Sequence, residues 1–284
     1  MEGAGNWLGL LKWSLAQTSD GTVPSEITPM TEEDKKWLEQ VMRECVKDEP
    51  KRMNEIMGIF VKMLEEGLTE DKSEEVIELL DELQFMVEQV DMAGVFAKFG
   101  GFQCLLGLVE SENLTAEARA MAGSTLAALS QNNLEVQEIV FKSGMLDRLA
   151  KVYIKSESVL LCNKVLYAIS CSIRNHAAAE EYFVLHFAEA TLPKAIAAAS
   201  LVDSNSEAAA GTEALTSRAL FLCNALVMSD FTNHARVQKL SALVLPVCLE
   251  YLKHESINLR ETTQNLLTAI EKHKGPDHAP LMIM

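Results

Sequence analysis

Apolar residues recur every three or four positions through most of this chain, which is the spacing of one face of a helix. The clearest stretch runs from about Glu74 to Val90. Its apolar positions form one stripe at 3.6-residue spacing: Val76, Leu79, Leu80, Leu83, Val87 and Val90. No stretch shows the apolar and polar alternation of a convincing strand. The pattern therefore predicts an all-α protein.

The helical pattern repeats at an interval of about 43 residues. Gly101, Leu106 and Val109 are followed at this interval by Gly144, Leu149 and Val152. A period of ~40–47 residues containing two or three helices is typical of armadillo and HEAT solenoids. We predict an armadillo/HEAT-like helical-repeat solenoid of about four repeats plus a C-terminal half-repeat, preceded by N-terminal helices. A solenoid offers a long curved face for holding another protein, so this fold favours binding over catalysis.

Breaks in the pattern divide the chain into four segments. They are an amphipathic segment with a linker (1–29), N-terminal helices (30–68), the armadillo-like repeats (69–274) and a flexible tail (275–284). After a first repeat built on the Glu74–Val90 helix, later repeats are expected near 114–154, 157–199 and 214–254, and a half-repeat near Leu259–Ile270. Gly100-Gly101 and Gly144 are expected to make turns. The segment from Ala197 to Thr212 has the composition of an exposed insertion.

Composition narrows the classes of partner. The formal charge of −16 and the pI near 4.8 argue against nucleic-acid binding. Two interpretations of this charge stay open: it keeps the protein soluble, or it suits a partner with basic patches.

The six cysteines are scattered singly without a Cys-x-x-Cys pair, which predicts free thiols in a reducing compartment. No secretory signal or run of ~18 apolar residues is found, so we expect no membrane span and a cytosolic protein, with the nucleus as the alternative.

Signatures of catalysis are missing from the sequence. The six histidines never pair at i, i+4, and there is no His-Glu-x-x-His motif, phosphate-binding loop or Gly-x-Ser-x-Gly elbow. Paired carboxylates such as Glu65-Glu66 and Glu180-Glu181 fit helix starts and solvated faces. We therefore expect no enzyme activity, cofactor, metal or small-molecule ligand.

Polar residues at the ends of repeat helices are the candidate contacts. Arg174-Asn175-His176 follows the last buried residue of its helix, where these residue types also serve simply to end a helix. Gln131-Asn132-Asn133 lies about 43 residues earlier and can bond a partner's backbone or its own neighbours. The corresponding corner in the first repeat is Asp91-Met92-Ala93. There, Ala93 either allows close approach of a partner or packs against the next repeat.

Four short motifs, in order along the chain, resemble one family. Residues 10–16 (LLKWSLA) resemble the opening of armadillo-type nucleotide-exchange factors of the 70-kDa heat-shock chaperones, the family of the yeast Fes protein. Residues 29–33 (PMTEE), with Trp37, Leu38 and Met42, resemble the family's next helix. Residues 131–133 (QNN) and the stretch from Ala168 to Arg174 complete the likeness, which covers roughly residues 6–270.

The resemblance implies both an activity and a set of contacts. The curved repeat face would bind the ATPase domain of a 70-kDa heat-shock chaperone, distort its nucleotide cleft, and accelerate release of ADP and client. Arg174 matches the family's third-repeat arginine and would make a charge-assisted contact. The further partner-binding candidates are Asp91, Ala93, Asn132, Asn133, Asn175, Arg218 and Asn224.

The resemblance also gives the N-terminal segment a role. A mobile leading segment, including Trp7, Leu11, Trp13 and Leu15, would occupy the chaperone's peptide-binding cleft and promote client release. An amphipathic helix packed on the first repeat is the alternative. For the whole chain, the alternative function is a generic armadillo adaptor that binds an extended peptide. Adaptors of this kind hold the peptide with a row of Trp and Asn residues along many repeats. This chain lacks such a row, because Trp7, Trp13 and Trp37 all precede the repeats.

Overall fold

The computed structural model describes residues 31–33, 35–38, 49–203, 206, 208–230 and 232–273, without the side chains of Val90 and Asp91. The chain divides into two compact units, Met1–Arg52 and Met53–Met284. In the first unit, residues 32–33 and 35–38 are helical. The second unit begins within the stretch predicted as N-terminal helices (30–68), and it contains every repeat.

Helices are the only regular structure among the described residues. Helix α1 (Glu49–Glu66) and a 3₁₀ turn (Glu70–Lys72) precede the repeats. The first repeat comprises α2 (Ser73–Val87), α3 (Val90–Lys98) and α4 (Gly101–Glu110), and the second comprises α5 (Ala116–Ser130), α6 (Leu134–Lys142) and α7 (Met145–Lys155). The third comprises α8 (Val159–Ile173), α9 (Ala177–His186) and α10 (Ala188–Ala197). The fourth comprises α11 (Ala209–Ser229), α12 (His234–Cys248) and a 3₁₀ turn (Leu249–Lys253), and α13 (Ile257–His273) closes the stack.

The first helices of successive repeats stack side by side in chain order. Helix α5 packs against α2 and α8, and α11 packs against α8 and α13. A second layer forms where α7 packs against α4 and α10, and α10 packs against α12. Each repeat thus buries its apolar face largely against its neighbours, which is the packing of a solenoid. The predicted helical-repeat solenoid is confirmed.

Small residues on α5 allow the neighbouring repeats to pack closely against this helix. Ala118 and Ala122 are fully buried, and a Cβ atom added to Gly123 would lie 3.4 Å from the backbone of Lys164 on α8. Helix α5 lies between α2 and α8 and is therefore buried on both sides, with little amphipathic character. Close packing of this kind is sensitive to any added methylene group.

Two glycines with left-handed backbones precede the third helix of the first two repeats. Gly100 (φ 79°) precedes α4, and Gly144 (φ 69°) precedes α7. The sequence pattern pairs Gly144 with Gly101, but the structural equivalent of Gly144 is Gly100. Gly101 serves another purpose, since an added Cβ would lie 2.2 Å from the ring of Phe96.

Two predicted boundaries are wrong. Helix α2 ends at Val87, because Gln89 is extended (ψ 123°) and the chain restarts as α3 at Val90. Helix α11 begins at Ala209, inside the predicted insertion (197–212). Alanine has the highest helix propensity, and the buried Thr212 and Thr216 draw this turn into the core.

The described residues also bear on the predictions about membranes, thiols and metals. Cys104, Cys162, Cys171, Cys223 and Cys248 are buried and free. Within the described ranges, no single helix is long and apolar enough to cross a membrane. The helices Met92–Lys98 and Gly101–Glu110 have this length and composition only when taken together, and the chain bends by 82° between them. Over the same ranges, no group of three or more His, Cys, Asp or Glu residues is arranged to hold a metal ion.

Candidate functional site

The corners that follow α5 and α8 share a construction. Asn132 (φ 56°) and Asn175 (φ 68°) adopt the left-handed conformation that asparagine tolerates better than most residues. The next residue then caps the following helix. Asn133 accepts the N–H of Val136 at 3.2 Å. His176 accepts the N–H of Ala179 through Nδ1 at 3.1 Å.

The fourth repeat preserves the cap, with Asn233 accepting the N–H of Arg236 at 3.0 Å. These bonds satisfy backbone donors that a helix start leaves without partners. Of the predicted contact residues, Asn133 therefore has a structural role as an N-cap. Asn132 and Asn175 provide left-handed turns, and both of their side chains are exposed.

Two predicted contact residues, Arg174 and Arg218, lie near each other on the solvent side of α8 and α11. We call the solvent side of α2, α5, α8 and α11 the long-helix face. The guanidinium carbon of Arg174 lies 5.1 Å from the ring centroid of Phe221. That of Arg218 lies 4.1 Å from the ring centroid of Tyr167. Arg218 Nε also donates to Oδ1 of Asn163 at 2.7 Å. Cation–π contacts of this geometry hold both arginines in place.

Neither arginine of this pair forms a salt bridge with a carboxylate among the described residues. Nε of Arg174 is buried and has no hydrogen-bond partner there. Burial lowers the pKa of Arg218, and the nearby charge of Arg174 acts in the same direction. In a chain with a net charge of −16, two adjacent cations without acidic partners form a local exception. Such a pair would gain charge-assisted hydrogen bonds from an incoming carboxylate.

Two titratable groups beside the arginines, the Cys171 thiol and the Tyr167 hydroxyl, are neutral. Burial raises the pKa of the Cys171 thiol, although Arg174 and Arg218 act against that shift. Burial also raises the pKa of Tyr167. Both groups therefore stay protonated at neutral pH. Neither group therefore offsets the positive charge of the two guanidinium groups.

A groove of about 350 Å³ adjoins Tyr167 on the same face. Tyr167 donates its hydroxyl hydrogen to Oε1 of Gln131 at 3.2 Å, which links the arginine pair to this groove. The groove is lined by Gln84, Glu88, Ser124, Ala128, Gln131, Asn132 and Tyr167. The predicted Asn132 therefore lies within reach of the same face as Arg174 and Arg218.

Sequence reasoning missed the aromatic residues of this face. Tyr167 and Phe221 hold the two arginines, and Phe221 is 48% exposed. Phe85 on α2 is 73% exposed. A signal existed, because large aromatic residues displaced from the apolar stripe of their helices are unusual in a chain with only 6% aromatic residues.

The remaining predicted site residues are Ala93, Asn224, Asp91 and those of the N-terminal segment. Ala93 is only 2% exposed and packs in the core, so the expectation that it lies at the contact surface is wrong and its packing alternative holds. Asn224 lies half-buried on α11, three residues after the exposed Phe221 and therefore on the same side of the helix. The side chain of Asp91 lies outside the described residues. So do the 1–29 segment, with Trp7, Leu11, Trp13 and Leu15, and the 275–284 tail.

Comparison with known families supports the likeness read from the motifs. Residues 8–94 match the family model described as nucleotide exchange factor Fes1. The chain is 27% identical over 183 residues to the human Hsp70-binding protein 1, covering 61% of this chain and 50% of that protein. It is 25% identical over 185 residues to the Xenopus laevis nucleotide exchange factor SIL1, covering 61% and 39%. The predicted resemblance to this family is confirmed. The chain spans about half the length of the human relative.

Solved structures agree on the fold. The armadillo-repeats-only protein of Plasmodium falciparum superposes with a TM-score of 0.56 at 13% identity, covering 79% of this chain and 98% of that one. An engineered protein superposes with a TM-score of 0.58 at 16% identity, covering 80% of each chain. At these identities the likeness concerns the fold alone.

Proposed function

We propose that this protein is a nucleotide-exchange factor of a 70-kDa heat-shock chaperone, acting as a co-chaperone that binds the chaperone's ATPase domain. The observation that carries the proposal is the match of residues 8–94 to the Fes1 family model. The described surface supplies a suitable contact, since Arg174 and Arg218 stand together on the long-helix face without acidic partners of their own. Exchange by this route requires no reacting group from the chain itself.

The long-helix face binds one lobe of the ATPase domain. ADP is held between two lobes, so its affinity depends on both lobes being in place. A rigid solenoid that fits one lobe and crowds the other removes part of those contacts. Each ~1.4 kcal/mol of lost contact weakens ADP binding about tenfold. ADP leaves, ATP replaces it, and the chaperone releases its client.

Arg174 and Arg218 provide the electrostatic part of this contact. Both guanidinium groups are already positioned over aromatic rings, so little side-chain freedom is lost on binding. Carboxylates on the ATPase domain accept hydrogen bonds from these two guanidinium groups.

We also propose a role for the N-terminal segment and a location for the protein. The segment occupies the chaperone's peptide-binding cleft through Trp7, Leu11, Trp13 and Leu15. The protein works in the cytosol.

Thermodynamic linkage provides the test. If the protein weakens ADP binding by a given factor, ADP must weaken binding of the protein to the ATPase domain by the same factor. We expect the dissociation constant for the isolated ATPase domain, measured by calorimetry, to rise at least about tenfold when ADP is saturating, a coupling of about 1.4 kcal/mol. An affinity that ADP leaves unchanged contradicts exchange by this mechanism.

A pair of arginine variants locates the contact. Arg174→Ala is expected to weaken binding about tenfold or more. Arg148→Ala is the matched control, since Arg148 lies on α7 in the second layer and pairs with Glu110. Binding that is lost equally in both variants would rule out the long-helix face. No binding to the ATPase domain at all would favour the adaptor alternative.

A further inference from the structure

A buried glutamine connects the second repeat to the corner that carries Arg174. Gln137, on α6, is 2% exposed. Its Nε2 lies 2.8 Å from the carbonyl oxygen of Cys171 and 3.1 Å from that of Arg174, with the Ser130 carbonyl at 3.2 Å. The last carbonyls of a helix lack partners within it. Gln137 therefore caps α8 from the neighbouring repeat and holds the carbonyl of Arg174.

A second buried network binds the N–H of Asn175, which belongs to the same peptide group as the carbonyl of Arg174. The N–H of Asn175 donates to Oε1 of Glu180 at 3.0 Å. Oε2 of Glu180 accepts hydrogen bonds from the Ser229 hydroxyl at 2.5 Å and from Arg236 at 3.1 Å. The side chains of Glu180 and Arg236 are each 4% exposed. Because Ser229 and Arg236 belong to α11 and α12, the fourth repeat fixes the orientation of Glu180.

The peptide between Arg174 and Asn175 is thus held at its oxygen from the second repeat and at its nitrogen from a carboxylate braced by the fourth. The orientation of this peptide determines ψ of Arg174 (133°) and the left-handed φ of Asn175 (68°). The equivalent peptide between Gln131 and Asn132 receives no side-chain hydrogen bond from any described residue. The double clamp therefore distinguishes the corner that bears the arginine.

We propose that Gln137 and Glu180 are positioning residues for Arg174. They fix the peptide that follows its Cα, and so direct the guanidinium group toward Phe221 and the partner. This inference rests on the proposed function, which makes Arg174 a partner contact. Gln137 and Glu180 are themselves buried and do not touch the partner. Their effect on binding therefore passes through Arg174.

A double-mutant cycle in the full chain separates positioning from general stability. Gln137→Met keeps the length of the side chain and removes its donors. Thr216→Val is the matched control, because Thr216 is also fully buried and its hydroxyl lies 3.1 Å from the carbonyl oxygens of Ala195 and Ile196 at the end of α10. Each is combined with Arg174→Ala, and binding to the chaperone ATPase domain is measured.

Gln137→Met is expected to weaken binding about five- to tenfold in the wild-type background and less than about twofold in the Arg174→Ala background. Thr216→Val is expected to change binding by less than about twofold in both backgrounds. An equal loss from Gln137→Met in both backgrounds overturns the inference. An equal loss from Thr216→Val in the wild-type background overturns it too.

Amide hydrogen exchange of the free protein tests the clamp without a partner. Exchange at Asn175 should become at least about tenfold faster in Gln137→Met and in the milder Ser229→Ala variant. The amide of Asn233 should be unaffected by Gln137→Met, because Gln137 makes no contact there. An unchanged Asn175 amide overturns the clamp. Faster exchange in a protein that fails to bind the chaperone sustains the clamp and refutes the proposed function alone.

Discussion

At the scale of single residues, the same position in three repeats caps the helix that follows the corner. Asn133, His176 and Asn233 each accept a backbone N–H at the start of the following helix. The sequence also makes Asn133 a candidate for partner contact, because asparagine suits both roles. The cap has a measurable consequence for stability, whereas a partner contact does not.

Substitution at this cap separates the two roles. Asn133→Ala removes the acceptor for the Val136 N–H and is expected to lower the free energy of unfolding by about 1 kcal/mol. Asn133→Ser should restore most of it, since serine also caps helices. Asn132→Gly is the control, because glycine accepts the left-handed backbone there. Urea unfolding of the purified chain measures all three, and an unchanged stability in Asn133→Ala contradicts the cap assignment.

At the scale of helices and turns, glycines with different backbones should respond oppositely to one added methyl group. Gly58 lies exposed within α1, and an added Cβ would meet nothing within 4 Å. Gly58→Ala is expected to raise the free energy of unfolding by roughly 0.5–1 kcal/mol. Gly144 has equal space but a positive φ, so Gly144→Ala is expected to lower it by roughly 1–2 kcal/mol.

Thermal and urea unfolding of the Gly58→Ala and Gly144→Ala variants measure these two changes in the free energy of unfolding. Equal effects at both glycines would show that the left-handed turn before α7 is not required. Gly101→Ala gives a third point, and it should also destabilise, because the added carbon would lie 2.2 Å from the Phe96 ring.

The start of helix α11 at Ala209 could not be predicted from the sequence pattern. The Ala- and Ser-rich composition near 197–212 indicated a loop. Yet the hydroxyl of Thr216 bonds to carbonyls at the end of α10, and Tyr251 donates its hydroxyl hydrogen to the carbonyl of Ile196. Contacts between residues so far apart decide whether a short segment joins a helix. Local propensity does not contain them.

At the scale of the whole molecule, the repeat period alone was enough to predict the solenoid. Its stacking follows because each repeat buries its apolar face against the next. The site was only partly predictable. Arg174 and Arg218 were named from the sequence, but their rings, Phe221 and Tyr167, come from neighbouring repeats. Pairing across repeats depends on the register between helices, which packing determines in three dimensions.

Five buried thiols distributed through the stack predict instability at alkaline pH. Burial raises the pKa of Cys104, Cys162, Cys171, Cys223 and Cys248, and that of Cys248 rises from 9.0 to about 11. Above pH 9 the unfolded chain loses these protons more readily than the folded one. The folded state then binds more protons, and its stability falls as pH rises. The stabilisation is complete below about pH 9 and is lost toward pH 11.

Between pH 8 and pH 10, Cys248 alone should contribute a loss of about 1 kcal/mol. Urea unfolding under reducing conditions measures the change, and Cys248→Ala should reduce its slope. Constant or rising stability over this interval would contradict the burial of these thiols as neutral groups.

Release of labelled ADP from a purified 70-kDa heat-shock chaperone, followed in a stopped-flow instrument, tests the central claim most directly. We predict that the full chain accelerates release at least about tenfold, that Arg148→Ala does so equally, and that Arg174→Ala at the same concentration loses most of the acceleration. ADP that leaves at its unassisted rate in the presence of excess protein would contradict the account.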